Sequence, residues 1–227
     1  MKNILAIDTA TEACSVALQT NQGVFSRWEE CPQQHAQKLL GMIDEVLNEA
    51  KSDKSSIEGI AFGQGPGSFT GVRIATAHCQ GLSLGLDIPV VGISTLATLA
   101  QHAVSTADAT ELPKTIISAI DARMSEVYFA QYHVVDRLVV LHGEERVLKP
   151  IDALACLPQD DFVAVGTGWQ AYLELGDGVH VTHTLPDARN MLPLASKAFA
   201  TGQEQAVENI APRYVRDTVT WKKLPGR

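Results

Sequence analysis

The sequence is thin in the features that usually mark an active site. Its four cysteines, Cys14, Cys31, Cys79 and Cys156, lie far apart and form no C-x-x-C pair. That spacing argues against a zinc ribbon or a disulfide framework and fits reduced thiols in a cytoplasm. The histidines are His35, His78, His102, His133, His142, His180 and His183, and none falls in an H-E-x-x-H or H-x-x-x-H pattern. His180 and His183 lie three apart on an expected strand, which turns them to opposite faces. No metal site is expected. There is no G-x-S-x-G elbow of a serine hydrolase. No lysine occurs between Lys54 and Lys114, so the glycine-rich stretch in that interval is not a Walker loop, which requires G-x-x-x-x-G-K-[ST]. No apolar run approaches the ~20 residues that span a membrane. The opening M-K-N-I-L-A-I-D reaches a charge too soon for a signal peptide and reads as a buried strand.

Positive charge is also short. Eighteen Lys and Arg stand against 26 Asp and Glu, a net charge of −8. An acidic chain is a poor stand-alone binder of nucleic acid, because phosphate contacts need concentrated cations. The tail differs: residues 213–227 carry Arg213, Arg216, Lys222, Lys223 and Arg227 against Asp217. It reads either as a solubilising end or as a docking strip.

What is present is core-forming material: 45% hydrophobic and 19% charged residues over 227 positions, enough for one large or two small domains. Strand-like runs fall at 3–8, 14–19 and 24–30, and Pro32 then breaks the chain. Over 35–50, Ala36, Leu39, Leu40, Ile43, Val46, Leu47 and Ala50 share one helical face. A strand at 57–62, a helix at 70–86, a strand at 90–93 and a helix at 95–104 complete a βββαβαβα order. The second half repeats it, with strands at 114–121, 126–133 and 137–142 and a short helix near 151–157. A strand at 162–166, a helix near 169–174, a strand near 179–183 and a helix at 188–200 follow. A-I-D ends a strand at Asp8 and again at Asp121. The small, polar stretch 105–113, ended by Pro113, reads as a linker, giving lobes at 1–104 and 114–227. The fold class expected is therefore α/β, duplicated.

Two such lobes suggest a cleft lined by the turns D-T-A-T-E-A (8–13) and D-A-R-M-S-E (121–126). Asp8 and Asp121 could each hold a metal-bound water near a phosphate, with Thr9 and Thr11 offering hydroxyls and N–H groups. The alternative is that both aspartates cap tight turns. Gly166, Thr167 and Gly168, in V-G-T-G-W, end a strand ahead of a helix and could admit a phosphate or ribose. In G-P-G-S-F-T-G-V-R, Gly65, Gly67 and Gly71 permit unusual backbone angles, and Ser68 or Thr70 can cap the helix. Within that helix Gly71, Ala75 and Cys79 are spaced by four, as are Ala77, Gly81 and Gly85. Glycine inside a helix costs ~1 kcal/mol against alanine, so Gly81 and Gly85 need a reason: close approach of another backbone, in this chain or in a second one. Cys14 and Cys79 sit in apolar settings, where thiols are core rather than nucleophiles.

With these residues in view, the chain resembles the bacterial TsaB (YeaZ) family, tRNA threonylcarbamoyladenosine biosynthesis proteins once grouped with glycoprotease-like peptidases. The matching segments are I-L-A-I-D-T-A-T-E-A-C-S-V-A-L (4–18), G-P-G-S-F-T-G-V-R (65–73), A-I-D-A-R-M-S-E-V-Y (119–128), V-G-T-G-W-Q-A (165–171) and the tail around W-K-K-L-P-G. The resemblance implies the duplicated actin/sugar-kinase/Hsp70-type (ASKHA) fold. It also implies a non-catalytic paralogue of the threonylcarbamoyl transferase TsaD. That transferase carries two metal-binding histidines after an I-P-V strand. Here I-P-V-V-G-I-S-T-L (88–96) places Gly92, Ile93, Ser94 and Thr95 there.

The resemblance further implies a heterodimer with TsaD, a homodimer when alone, the ATPase TsaE through the complex, and tRNA only indirectly. It implies an interface on His35, Leu39, Met42, Ile43 and Val46 of the first helix and Thr70, Arg73, Ile74, Ala77, His78 and Gly81 of the second. No cofactor is expected to bind tightly; ATP or ADP is expected only weakly or at the partner interface. A nucleotide hydrolase or phosphotransferase, or a peptidase, is the rival reading.

Overall fold

The computed structural model describes residues 3–108 and 110–216. The first half folds as β1 (Ile4–Asp8), β2 (Ala13–Thr20), β3 (Gly23–Glu30), α1 (His35–Glu49), β4 (Gly59–Gly65), α2 (Phe69–Leu86), β5 (Val90–Ser94) and α3 (Thr95–Thr106). The second half gives β6 (Thr115–Asp121), β7 (Val127–Val135), β8 (Leu138–Leu148), α4 (Pro150–Leu154) and β9 (Val163–Val165). It continues with α5 (Gly168–Ala171), α6 (Leu173–Gly176), β10 (Val181–His183) and α7 (Met191–Ala200). The sheets order as β3-β2-β1-β4-β5 and β8-β7-β6-β9-β10. These are the same order in each half, so the repeat suggested by matched elements is a repeat in space.

The strands follow from their residues. In β1, I-L-A-I-D is buried throughout, as expected of a strand flanked on both sides, antiparallel by β2 and parallel by β4. β3 is an edge strand and carries charge on it: Arg27 reaches Glu45 at 2.8 Å and Glu49 at 2.6 Å on α1. Ser68 caps α2, its Oγ accepting from the Gly71 N–H at 3.3 Å. β4 runs past the expected end at 62, because Gly63 and Gly65 still pair with Ile93 and Ser94 of β5. The helix expected at 169–174 is divided into α5 and α6 by an extended Tyr172 (φ −133°), whose hydroxyl donates to Asp121 Oδ1 at 2.8 Å. Likewise 188–200 opens with a 3-10 turn, Ala188–Asn190, under an Asp187 cap before α7.

Each sheet has two apolar faces to cover, and the chain covers them by exchange. One face of the first sheet packs on α1 and α2 through Leu39, Ile43, Val46 and Cys79. The other packs on α7, with Ile4, Ala6, Ala61 and Ile93 against Met191, Leu192 and Ala195. On the second sheet, α3 supplies Leu96, Leu99, Ala103 and Val104 against Ile116, Ile120 and Tyr132, and α4–α6 cover the far face with Trp169 and Leu175. The boundary expected at 105–113 does not separate the cores, and α3 runs on into it, to Thr106. α3, from the first half, belongs to the second core, and α7, from the second half, to the first. Among the described residues no helix is long and apolar enough to cross a membrane.

Candidate functional site

The glycine-rich turn after β4 is a cradle, and its contents are this chain's own backbone. A Cβ on Gly71 would lie 2.0 Å from the Thr9 carbonyl oxygen, and one on Gly67 would lie 2.2 Å from that of Ala10. A Cβ on Gly63 would lie 2.3 Å from Asp8 Oδ2. Polar bonds fix the fit: the Thr9 hydroxyl donates to the Gly71 carbonyl at 2.7 Å, and the Ser68 N–H donates to the Ala10 carbonyl at 2.7 Å. The β1–β2 turn thus packs directly onto the glycine-rich turn. Asp8, Thr9 and Thr11 are buried and face protein. Asp8 Oδ1 accepts from the Ala10 N–H at 2.9 Å, while Oδ2 accepts nothing. Burial pushes this carboxyl up to about 7, with the Ala10 N–H opposing and Asp187 adding to the rise.

The second lobe repeats the arrangement with different chemistry. Gly166 (φ +104°) and Gly168 lie against Ala119 of β6, where their Cβ atoms would meet backbone at 2.1 Å and 3.0 Å. Thr167 Oγ1 accepts from the Asp121 N–H at 3.1 Å. Asp121 itself is engaged: it accepts from Tyr172 and from the Arg123 backbone, and its Oδ2 lies 2.7 Å from Arg123 Nη1. Arg123 also reaches Glu12 of the first lobe at 3.1 Å. The two turns expected to line a cleft therefore meet through an ion pair. Each aspartate accepts from the backbone N–H two residues on, Asp8 from Ala10 and Asp121 from Arg123.

The helix residues expected at an interface divide cleanly. His35, Leu39, Met42, Ile43 and Val46 are buried, the last four in the first lobe's own core. Their side chains are therefore not available to a partner. The outward face of α1 carries Ala36, Leu40, Gly41 and Asp44 instead. On α2 the residues expected at an interface are open to solvent: Thr70, Arg73, Ala77 and Gly81 are exposed, and Ile74 and His78 half-buried. Leu40, Ala77, His78, Gly81 and Leu82 line a groove of about 280 Å³ between the helices. Cβ atoms on Gly41, Gly81 and Gly85 would meet nothing within 4 Å. Packing inside this chain thus explains Gly71 but neither Gly81 nor Gly85. Phe69 and Leu84, which the sequence reading did not single out, extend the same face, 61% and 65% exposed.

Other candidates contribute structure. Burial pushes the Cys14 and Cys79 thiols up to about 12, as core thiols behave. His102 stacks on His183 at 3.8 Å, and burial with that neighbour lowers it to about 4. Among the described residues no three His, Cys, Asp or Glu side chains converge as a metal site. A wider depression of about 520 Å³, lined by Lys114, Thr115, Asp160 and Asp161, lies at the starting ends of β6 and β9, away from Asp121 and Gly166. At 92–95, Ser94 caps α3 through the Ala97 N–H at 3.3 Å and Thr95 is fully buried. Pattern reasoning missed Glu145, whose buried carboxylate accepts from Ser94 and Tyr132. It lay beyond the strand expected at 137–142, which runs on to Leu148.

Comparison with known proteins places this geometry. Residues 17–224 match the family model described as TsaD, tRNA N6-adenosine threonylcarbamoyltransferase. The chain is 46% identical to the tRNA threonylcarbamoyladenosine biosynthesis protein TsaB of Escherichia coli, over 99% of each chain. It is 40% identical to that of Haemophilus influenzae, over 99% of this chain and 98% of the other. Among solved structures, YeaZ from Pseudomonas aeruginosa superposes with a TM-score of 0.85 at 40% identity, over 94% of this chain and 100% of that one. A P. aeruginosa protein described as similar to peptidase YeaZ gives 0.86 over 95% and 100%, also at 40% identity. With its duplicated α/β fold and end-to-end similarity, the chain belongs to the TsaB (YeaZ) family, within the wider TsaD family.

Proposed function

We propose that this chain is a non-catalytic subunit of tRNA threonylcarbamoyladenosine synthesis, a scaffold that binds a TsaD partner through the outward face of α1 and α2. The observation that carries the reading is the pair of helical glycines, Gly81 and Gly85, with open space where a Cβ would stand. They border a groove lined by Leu40, Ala77 and Leu82. Each glycine costs its helix about 1 kcal/mol relative to alanine, and a second backbone seated against them offsets that cost. The same patch serves a second copy of this chain when TsaD is absent, since one surface can take competing partners. The transferred group is the threonylcarbamoyl moiety and the acceptor is adenosine 37 of ANN-decoding tRNAs, with TsaE joining the cycle through the complex. This chain contributes no reacting group: the family transferase's metal-histidine positions carry Gly92, Ile93, Ser94 and Thr95. Any ATP or ADP contact falls at the partner interface, because the first-lobe cradle holds Thr9 and Ala10. The −8 charge leaves tRNA contact to the assembled complex.

The test is modification of tRNA in a reconstituted mixture with ATP, threonine and bicarbonate, omitting this chain, TsaD and TsaE in turn. Product is expected only when this chain and TsaD are both present. Product from this chain without TsaD, or undiminished product without this chain, overturns the reading in favour of a nucleotide-using enzyme. Leu40→Glu and Ala77→Trp are expected to weaken association with TsaD by about tenfold or more while the fold is kept, since both side chains point outward.

A further inference from the structure

The C-terminal segment passes back and forth between the lobes. Ile210 is buried in the first lobe's core, and its carbonyl accepts from Gln80 Nε2 at 3.5 Å. The Arg213 N–H donates to the Gln64 carbonyl, at the carboxyl end of β4, at 2.7 Å. The Arg213 carbonyl lies 2.9 Å from where a Cβ on Gly65 would stand. Tyr214 packs against Phe69 at 6.0 Å between ring centroids, and Arg73 lies over the Phe69 ring at 3.4 Å. All of these contacts are with the first lobe. The arginine side chains point the other way. Arg213 Nη1 lies 3.4 Å from Glu145 Oε2 on β8. Arg216 donates to the Ala122 carbonyl at 3.1 Å and pairs with Glu126, both at the β6–β7 turn.

Glu145 gives this crossing its importance. The residue is 7% exposed. Its Oε1 accepts from Ser94 Oγ, at the end of β5, and from Tyr132 Oη at 3.0 Å. Its Oε2 accepts no hydrogen bond, and among the described residues the cation that ion-pairs with it is Arg213. A buried carboxylate is stable only when a charge or a full set of donors compensates it. The place is also chemically telling: in α/β sheets the crevice outside the carboxyl ends of the strands is where ligands sit, and here Arg213 sits across the ends of β4 and β5.

We infer that residues 210–216 form a strap that holds the two lobes closed, with Arg213 bound across the cleft as a built-in cationic ligand of the buried Glu145. Opening the lobes requires the guanidinium to leave, and the vacated acid then takes a guanidinium or alkylammonium group in its place. This inference is independent of the assembly role proposed above. It also gives the first basic residues of the tail an intramolecular task, distinct from both the solubilising end and the docking strip. The other cations of that tail, Lys222, Lys223 and Arg227, lie outside the described residues.

Hydrogen exchange of the full chain, read by mass spectrometry, tests it. In Arg213→Ala, peptides covering 92–98 and 141–148 are expected to exchange about tenfold faster than in the parent. Millimolar methylguanidinium is expected to restore their protection, and to do nothing in Arg213→Ala combined with Glu145→Gln, where the amide carries no charge to neutralise. If Arg213→Ala does not fold, methylguanidinium in the refolding buffer is the second arm: recovery of folded protein supports the strap and failure overturns it. Parent-like exchange in Arg213→Ala overturns it as well. Rescue that is absent in the single variant, or equal in the single and double variants, removes Glu145 as the receptor and overturns it too.

Discussion

The two lobes share a strand order, 3-2-1-4-5 in each, and a device: a strand end whose glycines admit the backbone of the neighbouring turn or strand. They differ in what they build on it. The first lobe carries helices of 15 and 18 residues, one of them with an open glycine face. The second replaces them with helices of 5, 4 and 4 residues, and its helical Gly176 is packed, its Cβ position 1.8 Å from the Trp169 carbonyl. The turn aspartates diverge as well. Asp8 is wholly buried with an orphan oxygen; Asp121 is held by Tyr172 and Arg123. The inner frame of the duplication is therefore common to both halves, and the open glycine face belongs to one.

The largest effect should come from the shared device. Gly71→Ala drives a methyl into the Thr9 carbonyl at 2.0 Å, a backbone contact that cannot move aside. A loss of about 3 kcal/mol or more is expected, at the upper end of overpacking costs, read as a fall in the urea midpoint. Gly168→Ala meets Ala119 and Val127 at 3.0 Å and should cost about 1 kcal/mol. Equal losses at the two sites would show that the lobes rely on their glycines alike.

The aspartates come next. Asp8 ordinarily titrates at 3.8 and is raised to about 7 in the fold. Between those values the folded state keeps a proton that the unfolded state releases, so stability is greatest below about pH 4. It declines as pH rises towards 7 and is level beyond. Asp8→Asn keeps the acceptor for the Ala10 N–H and removes the charge. It should match the parent near pH 4 and exceed it by a few kcal/mol at pH 8, about 1.4 kcal/mol for each unit by which the fold raises the group. Asp121→Asn, on a turn whose Arg123 partner is 75% exposed, should stay within about 0.5 kcal/mol of the parent at both pH values. Thermal melts at pH 4 and 8 decide it; a pH-independent gain at Asp8 would remove burial of the charge as the cause.

Much of this contrast was legible in the sequence. Apolar alternation and helical periodicity located the strands and long helices, and the matched order of those elements, more than the two A-I-D turns, disclosed the repeat. The glycine turn was legible as a shape-maker, because nothing in it supplied a phosphate lysine. Three things were not legible. Period alone says which residues share a face, not which of two helices will cover it, so Leu39 and Val46 looked as available as Ala77. Chain order suggested that α3 and α7 belong to the halves that encode them, whereas each covers the other half's sheet. The partnership of Arg213 with Glu145 spans 68 positions, 145 to 213, and no local pattern encodes a contact of that separation.

The smallest effect is the most informative about the surface. Gly81→Ala adds a methyl to a position with nothing within 4 Å, so the isolated chain should gain up to about 1 kcal/mol from helix propensity alone. For a chain of this size that is a rise of about 2–4 °C in Tm, measured at a concentration too low for self-association. The same methyl stands where a partner's backbone is proposed to approach, so association with TsaD should weaken by about tenfold in calorimetry. The two readouts move in opposite directions only if the glycine is kept for a contact outside this chain. A gain in Tm with unchanged affinity would leave the open face of α2 without a partner and return the first lobe to the level of the second.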